Sequence, residues 1–206
     1  MLELVIFDAD GVLFESAESN TAYYNAIFAE LGEPPLSPGE ARDAIFMAAI
    51  QVFELRARGD QATLARMREV ARTIDFTPFF KLLRPPFELR PFLLELKRRY
   101  RVALATNRSA TTLGLIEHLD LGDVFEAVAS ARDKVRPKPA PDIVRLCLER
   151  ARVTPERAVY VGDSQIDVEA AAGAGAHFLG VGARVIHPRR VASLGEVPAA
   201  LEWMFG

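Results

Sequence analysis

Two aspartates at the end of an apolar run are the first candidates for chemistry in this chain. The run from Leu4 to Phe7 is followed by Asp8 and Asp10, one residue apart, and then by Gly11. Side chains alternate along a strand, but a turn at its end can bring both carboxylates to one pocket. Carboxylates placed in this way suit a hard cation such as Mg²⁺ and a nucleophilic role for one of them. An acidic pair can also simply close a strand and cap a turn, so the rest of the chain must decide.

Further polar side chains follow later apolar runs. Thr106 and Asn107 follow one run, Lys138 lies beyond the next, and Asp163 and Asp167 follow another. Ligands of an open parallel sheet bind outside the carboxyl ends of its strands, so we expect all these groups at one site. Singly, each has a plain alternative as a helix cap, a turn residue or a solvated lysine. Together, in order and each after a strand, they are hard to attribute to chance.

The chemical types of these side chains fit phosphoryl transfer. A phosphate monoester repels an attacking carboxylate, so a cation and a lysine must offset its charge while hydroxyl and amide donors fix its oxygens. Lys138, Thr106 and Asn107 supply the lysine and the donors. Asp163 and Asp167 lie four residues apart at a predicted helix start, hence on one face. Asp163 can therefore reach a metal directly while Asp167 orients the groups around it.

Short apolar runs rich in Val, Ala, Ile and Tyr predict strands that are buried on both faces. They are Leu2 to Phe7, Arg101 to Thr106, Val124 to Ser130, Ala158 to Gly162 and Ala176 to Gly180. Segments with helical periodicity separate the later runs, at Pro91 to Tyr100, Ser109 to Leu119, Pro141 to Ala151 and Ser164 to Ala174. This alternation predicts an α/β fold with a Rossmann-like parallel sheet, helices on both sides and right-handed connections.

The stretch from about residue 15 to residue 85 breaks this alternation, because its patterns are helical and it contains no strand-like run. One helix is predicted from Ser19 to Gly32, a second from the capping box at Ser37 to Gly59, and a short one from Thr77. We expect a small all-helical cap of three or four helices, residues 15–85, inserted into a core of residues 1–14 and 86–206. Such helices can merely extend a fold, but beside two carboxylates they favour a lid that excludes water.

The composition of the chain limits the classes of protein to which it can belong. The chain has 206 residues, half of them hydrophobic, which is enough for a sizeable core. Its net charge of −3 and its pI near 5.7 argue against a nucleic-acid partner. Without a targeting pattern or a run of about 18 apolar residues, we expect a soluble cytoplasmic protein with no membrane association. No pattern indicates an obligate protein partner, and the single cysteine, Cys147, is expected to be a buried small hydrophobe.

Four segments together resemble the haloacid dehalogenase superfamily, in its phosphoglycolate phosphatase and β-phosphoglucomutase branch. They read VIFDADGVL, ALATN, RPKPAPD and VYVGDSQIDVEAAAGAG, and they match all four signature motifs of that family. The resemblance covers essentially the whole chain, strongly in the core and weakly in the cap. It implies a sheet in the strand order 3-2-1-4-5, a helical cap after the first motif, and Mg²⁺-dependent phosphotransfer through a phospho-aspartate.

The resemblance also implies a role for each motif residue. Asp8 is the nucleophile and a metal ligand, while Asp10 is the general acid and base and binds Mg²⁺ through its main-chain carbonyl. The transferring phosphoryl group is held by Thr106 and Asn107 and neutralised by Lys138. Asp163 completes the metal site, with Asp167 behind it. Because Asp10 must be protonated to serve as an acid, we expect its neighbours and cap closure to raise its pKa.

The cap departs most from the family pattern. Relatives often carry a glycine in a substrate loop, whereas the matching segment here, Glu40 to Met47, contains none. Basic residues are frequent from Arg56 to Arg84, and one of Arg66, Arg72 or Lys81 could meet an anionic group of a substrate, although solvated helix faces explain most of them.

Three functions remain open at this stage. The first is a phosphatase that acts on a small phosphorylated metabolite, and the second is a phosphomutase of the β-phosphoglucomutase type with the same core. The third is a non-catalytic phosphate-binding or signalling module, because phospho-receiver modules also combine acidic residues, a threonine and a lysine on a parallel sheet. A receiver does not place its acceptor two residues before another aspartate and needs no cap, so we prefer the phosphatase.

Overall fold

The computed structural model of the protein describes residues 1–45, 47–109 and 111–206. Its strands are β1 (Leu4–Phe7), β2 (Arg101–Thr106), β3 (Ala127–Ser130), β4 (Ala158–Gly162), β5 (His177–Val181) and β6 (Arg190–Val191). Its helices are α1 (Ala17–Glu30), α2 (Pro38–Ala44), α3 (Ala49–Ala57), α4 (Gln61–Thr73), α5 (Thr77–Phe80), α6 (Leu89–Lys97), α7 (Thr112–His118), α8 (Asp142–Ala151), α9 (Gln165–Ala174) and α10 (Val197–Phe205).

The strands form one parallel sheet in the order β3-β2-β1-β4-β5-β6. This arrangement confirms the predicted α/β class and the order of the first five strands. The sequence analysis missed β6, which is only two residues long and therefore carries no readable alternation. From β1 the chain adds strands first on one side, as β2 and β3, and then on the other side, as β4 to β6. Parallel sheets bind their ligands at the carboxyl ends of the strands where this direction reverses, so the carboxyl end of β1 lies at such a position.

The sheet is buried on both faces, as its apolar strands predict. Along β1, Val5 and Phe7 join a cluster on one face, while Leu4 and Ile6 join a cluster on the other face. All four side chains are fully buried. Because each strand alternates in this way, the two helical layers lock its register, and with it the position of the residues that follow the strand.

Cys147 lies on α8 and is buried in the second of these clusters, as expected. Burial in this apolar layer raises the pKa of its thiol to about 12. A thiol with that pKa remains protonated at neutral pH, so Cys147 packs as a small apolar side chain rather than acting as a nucleophile.

Residues 15–85 are helical, but the expected count of three or four helices is wrong, since α1 to α5 are five within the described residues. The single helix predicted from Ser37 to Gly59 is broken after Ile45. It restarts because the side chain of Gln51 accepts the amide of Ala48 at 2.8 Å, which satisfies a donor that a helix start leaves free. Phe46, which belongs to the substrate-loop segment named above, lies outside the described residues.

The two ends of this helical segment meet. Glu15 and Arg84 exchange both main-chain hydrogen bonds, each at 3.0 Å, in a short antiparallel bridge. The helices between them have their own apolar cluster, which includes Phe28 on α1, Phe53 on α3 and Met67 on α4. These features favour the division into core and cap, which stays a prediction. Within the described residues, no helix is both long enough and apolar enough to cross a membrane.

Candidate active site

The turn after β1 brings the first carboxylates to the carboxyl edge of the sheet. The amide of Asp8 still donates to Val161 of β4 at 2.9 Å, and the amide of Gly11 donates to the carbonyl of Phe14 at 2.8 Å. Gly11 has a φ of +77°, and a Cβ atom there would collide with the carboxylate of Asp163 and with Arg184. Glycine is therefore required both by the backbone of this turn and by the room that the site needs.

Lys138 lies at the centre of the site. Its side chain is 1% exposed, and its Nζ atom lies 2.8 Å from Asp8 Oδ1 and 2.7 Å from Asp167 Oδ1. The same atom donates to the hydroxyl of Tyr160 at 2.9 Å. Burial would lower the pKa of Lys138, but the charges of Asp167 and Asp8 outweigh it and raise that pKa. The ammonium is therefore a permanent buried cation between two carboxylates.

Asn107 anchors Lys138 through its main chain. The amide of Lys138 donates to Asn107 Oδ1 at 2.7 Å, and Asn107 Nδ2 donates to the carbonyl of Lys138 at 3.1 Å. Thr106, at the end of β2, is buried beside it, and its Oγ1 atom accepts the amide of Arg108 at 3.2 Å. The structure thus brings the second and third motifs together, whereas contact of Thr106 and Asn107 with a phosphoryl group stays a prediction.

Tyr160 was missed by the sequence analysis because it looks like an ordinary strand residue of β4. It is fully buried, and its hydroxyl donates to the carbonyl of Ala105 at 2.8 Å while accepting from Lys138. The tyrosine therefore fixes the height at which the ammonium lies above the sheet. From one sequence alone, a tyrosine that is needed for its hydroxyl cannot be told from a tyrosine that is needed only for its apolar ring.

We expect Tyr160→Phe to lower the free energy of unfolding by about 1 to 3 kcal/mol, because it leaves the buried carbonyl of Ala105 and one proton of Lys138 without a partner. Urea unfolding followed by circular dichroism measures this loss. Tyr100→Phe is the control, since Tyr100 is only partly buried. Equal stability of the Tyr160→Phe variant and the parent would show that the hydroxyl does not hold Lys138.

Asp167 joins Lys138 to the start of α9. Its Oδ2 atom accepts the hydroxyl of Ser164 at 2.5 Å and the amides of Ser164 and Asp163 at 3.1 and 3.2 Å. Carboxylates are stabilised at such a position, because the first amides of a helix have no partner within it. Asp167 is fully buried. Its side chain lies behind that of Asp163, which is four residues earlier, and its orienting role stays a prediction.

The carboxylates of Asp8, Asp163 and Asp167 converge, and one oxygen of each lies within 4.8 Å of the others. Despite its short distance to Lys138, Asp8 Oδ1 is buried without a well-aligned hydrogen bond among the described residues. Burial raises the pKa of Asp8 and raises that of Asp163 to about 6. Buried carboxylates with this much unmet charge fit a divalent cation, which would favour their ionised forms.

Asp10 does not join this cluster of side chains. Its carboxylate forms a two-point ion pair with Arg108, at 2.7 Å from Nε to Oδ2 and 2.6 Å from Nη2 to Oδ1. Burial would raise the pKa of Asp10, but the charge and hydrogen bonds of Arg108 outweigh it and lower that pKa. The expectation of a raised pKa is therefore wrong for this arrangement, and metal binding by Asp10 through its main-chain carbonyl stays a prediction.

Arg108 and Arg184 are the charged residues of the site that the sequence analysis missed. Arg184 lies 2.7 Å from Asp163 Oδ2 and 3.1 Å from Glu15 Oε1, so it bridges the acidic cluster and the start of the helical segment. A signal for both was present, because Arg108 directly follows Thr106 and Asn107, and Arg184 follows the end of β5. The rule that polar groups after strands meet at one edge covers them too.

A pocket of about 60 Å³ lies between the core and the helical segment. The core side is polar, whereas the helical side presents mainly Tyr23, Tyr24, Phe76, Phe79 and Phe80. At roughly 10 to 15 Å³ for each water, this room is large enough for a phosphoryl group. Arg66, Arg72 and Lys81 do not line the pocket and are exposed. This fits the interpretation of these three residues as solvated side chains on helix faces.

Comparison with known proteins assigns the chain to a family. Residues 5–181 match the family described as "Haloacid dehalogenase-like hydrolase". A phosphoglycolate phosphatase of Pseudomonas putida is 28% identical over 86% of this chain and 68% of its own length, and protein CbbY of Cereibacter sphaeroides is 30% identical over 85% and 82%. A crystal structure of CbbY from Rhodobacter sphaeroides in complex with phosphate superposes with a TM-score of 0.79 at 27% identity, covering 98% of this chain and all of that one. With its four motifs gathered at the edge of one parallel sheet, the chain belongs to the haloacid dehalogenase-like hydrolases.

Proposed function

We propose that the protein is a Mg²⁺-dependent phosphatase that hydrolyses a small phosphomonoester through a phospho-aspartate on Asp8. One observation carries the proposal: Asp8 is a buried carboxylate at the switch point of the sheet, 2.8 Å from the Lys138 ammonium and close to Asp163. A carboxylate can attack a phosphate only where positive charge offsets both anions. Lys138 supplies such charge within the described residues.

In the first half of the reaction, an oxygen of Asp8 forms a bond to phosphorus while the bond from phosphorus to the alcohol oxygen breaks. The electron pair of the broken bond stays on the alcohol oxygen, which takes a proton from the protonated form of Asp10. Lys138 lies beside the attacking carboxylate and offsets the charge that builds up on the phosphoryl oxygens. Thr106, at the end of β2, and Asn107, directly after it, are the residues proposed to donate to those oxygens. Asp8, Asp163 and the carbonyl of Asp10 would hold Mg²⁺, which would supply further charge neutralisation.

In the second half, a water molecule attacks phosphorus and returns Asp8 to its free form. Asp10 is the residue proposed to move protons in both halves. The pair with Arg108 favours the ionised form of Asp10, which is the form left after Asp10 has donated its proton and the form that accepts a proton from water. An ionised Asp10 is thus ready to accept a proton in the second half of the reaction.

The size of the pocket and the relatives support a small substrate. The room between core and helices is large enough for the phosphoryl group. The helical side offers aromatic rings beside Ser19 and Asn20, whereas a mutase must hold a sugar in two orientations through matched hydroxyl contacts. This supports net release of phosphate from a small metabolite.

We expect turnover to require a divalent cation, with Mg²⁺ preferred and Ca²⁺ a poor substitute, because the larger and looser Ca²⁺ shell misaligns nucleophile and phosphorus. Phosphate release is measured from a panel of simple monoesters after chelation and again after Mg²⁺ is restored. Activity should fall at least about 100-fold on chelation and return with the metal. Undiminished activity in a protein shown by metal analysis to be free of cations would contradict the metal role.

The same panel separates hydrolysis from mutase chemistry. β-Glucose 1-phosphate with its bisphosphate activator is added as one substrate, and both phosphate and isomerised product are measured. The proposal predicts phosphate as the main product. Efficient isomerisation with negligible phosphate release would replace the phosphatase by a phosphomutase and would leave the site assignments standing.

A further inference from the structure

Arg108 makes a two-point side-chain contact in the site, and the reaction described above uses only the charge that it places beside Asp10. Its side chain is 9% exposed and that of Asp10 is 13% exposed, so their ion pair is shielded from water. Two parallel N–H donors engage the two oxygens of one carboxylate. This geometry fixes the rotation as well as the position of the carboxylate, which a single charge cannot do.

Arg108 is itself held from several sides. Its Nη2 atom donates to Asn20 Oδ1 at 3.0 Å, and Asn20 in turn donates to Asp10 Oδ1 at 3.3 Å, which closes a triangle. Its Nη1 atom lies 3.4 Å from Thr111 Oγ1, and its guanidinium carbon lies 5.6 Å from the centre of the Phe14 ring. Asn20 belongs to α1, whereas the other partners belong to the core, so the carboxylate is fixed from both sides of the pocket.

We propose that Arg108 is a positioning residue that orients the Asp10 carboxylate for the hydrolytic half of the reaction. The inference rests on the proposed function, since it concerns the same site. In that half, the oxygen of a water molecule bonds to phosphorus, and a proton of the water passes to Asp10. The bond between phosphorus and the Asp8 oxygen breaks, its electron pair returns to Asp8, inorganic phosphate leaves, and Asp10 later releases its proton to solvent.

Two hydrogen bonds hold the carboxylate in one orientation, so its remaining lone pairs point in fixed directions. This matters because a general base loses much of its catalytic effect when it is displaced by a fraction of the hydrogen-bond length. Glutamine at position 108 is a shorter polar side chain that loses both the charge and the fork. Lysine keeps the charge without the fork. The two variants therefore separate orientation from charge.

The test uses p-nitrophenyl phosphate, because nitrophenolate leaves without an acid and kcat/KM then reports the first half alone. For Arg108→Gln we expect kcat to fall about 10- to 100-fold while kcat/KM stays within about threefold. Phospho-enzyme should accumulate, as measured by acid quench and mass spectrometry. Arg108→Lys should show the same pattern with a smaller fall in kcat. If the glutamine variant unfolds at the assay temperature, the lysine variant is used for the test instead.

A double-mutant cycle with Asp10→Asn shows whether Arg108 acts through Asp10. Adding Arg108→Gln to Asp10→Asn should change kcat by less than about twofold, since nothing then remains to orient. Arg68→Gln, at an exposed position of α4, is the control and should match the parent enzyme. Equal losses in kcat and kcat/KM, or additive effects in the cycle, would overturn the inference alone. An Asp8→Asn protein as active as the parent would overturn the proposed function and the inference together.

Discussion

Asp8→Asn is expected to lower kcat by at least about 10⁴-fold, because an amide cannot attack phosphorus and cannot bind a cation as a carboxylate does. The fold should persist, since Lys138 keeps its ion pair with Asp167 and its hydrogen bond with Tyr160. The loss is measured as phosphate release from any monoester that the parent enzyme hydrolyses. Circular dichroism and thermal unfolding confirm that the variant is folded.

Asp43→Asn is the matched control, because Asp43 is exposed on α2 and undergoes the same change of a carboxylate to an amide. It should retain the activity of the parent. A folded Asp8→Asn protein with more than a tenth of the parental kcat would exclude Asp8 as the nucleophile.

Lys138→Met is expected to lower the free energy of unfolding by about 3 to 5 kcal/mol, since it removes one partner from a buried ion pair and leaves Asp8 and Asp167 without their cation. Methionine has a similar length, so the loss reflects charge more than volume. The same variant should lose at least about 100-fold in kcat, because the charge that offsets the phosphoryl group is gone.

Urea unfolding measures the stability of this variant, and phosphate release measures its activity. Lys134→Met provides the control, because Lys134 is exposed in the same loop before α8. A loss of less than about 1 kcal/mol in Lys138→Met would show that the buried carboxylates do not depend on this ammonium.

The core could be predicted from sequence because its signals are local and repeated. Apolar strands such as β1 and β4 alternate with amphipathic helices, and a parallel sheet is the arrangement that buries both faces of every strand. The motif residues Asp8, Lys138 and Asp163 follow from the same argument, since each comes after a strand. The structure brings all three to one edge.

Most of the features that could not be predicted from sequence depend on contacts between distant parts of the chain. The protonation state of Asp10 is set by Arg108, 98 residues later, and a pattern around Asp10 gives no sign of that charge. The start of α3 is a local exception, because the side chain of Gln51 accepts the amide of Ala48, yet a glutamine in a helical pattern gives no sign that it caps a new helix. The role of Tyr160 depends on where Lys138 lies. Sequence periodicity reports burial well, but it does not report which buried polar groups meet.

The measurement that bears most directly on the proposed reaction is the identification of the phosphorylated residue. Asp10→Asn protein, in which breakdown of the phospho-enzyme should be slow, is mixed with Mg²⁺ and p-nitrophenyl phosphate, quenched in acid after short times, and mapped by peptide mass spectrometry. We expect phosphate on Asp8 alone, appearing as fast as nitrophenolate is released and absent in the Asp8→Asn/Asp10→Asn protein. Nitrophenolate release without a phosphorylated peptide at any time, or phosphate on another residue, would contradict a phospho-aspartate on Asp8.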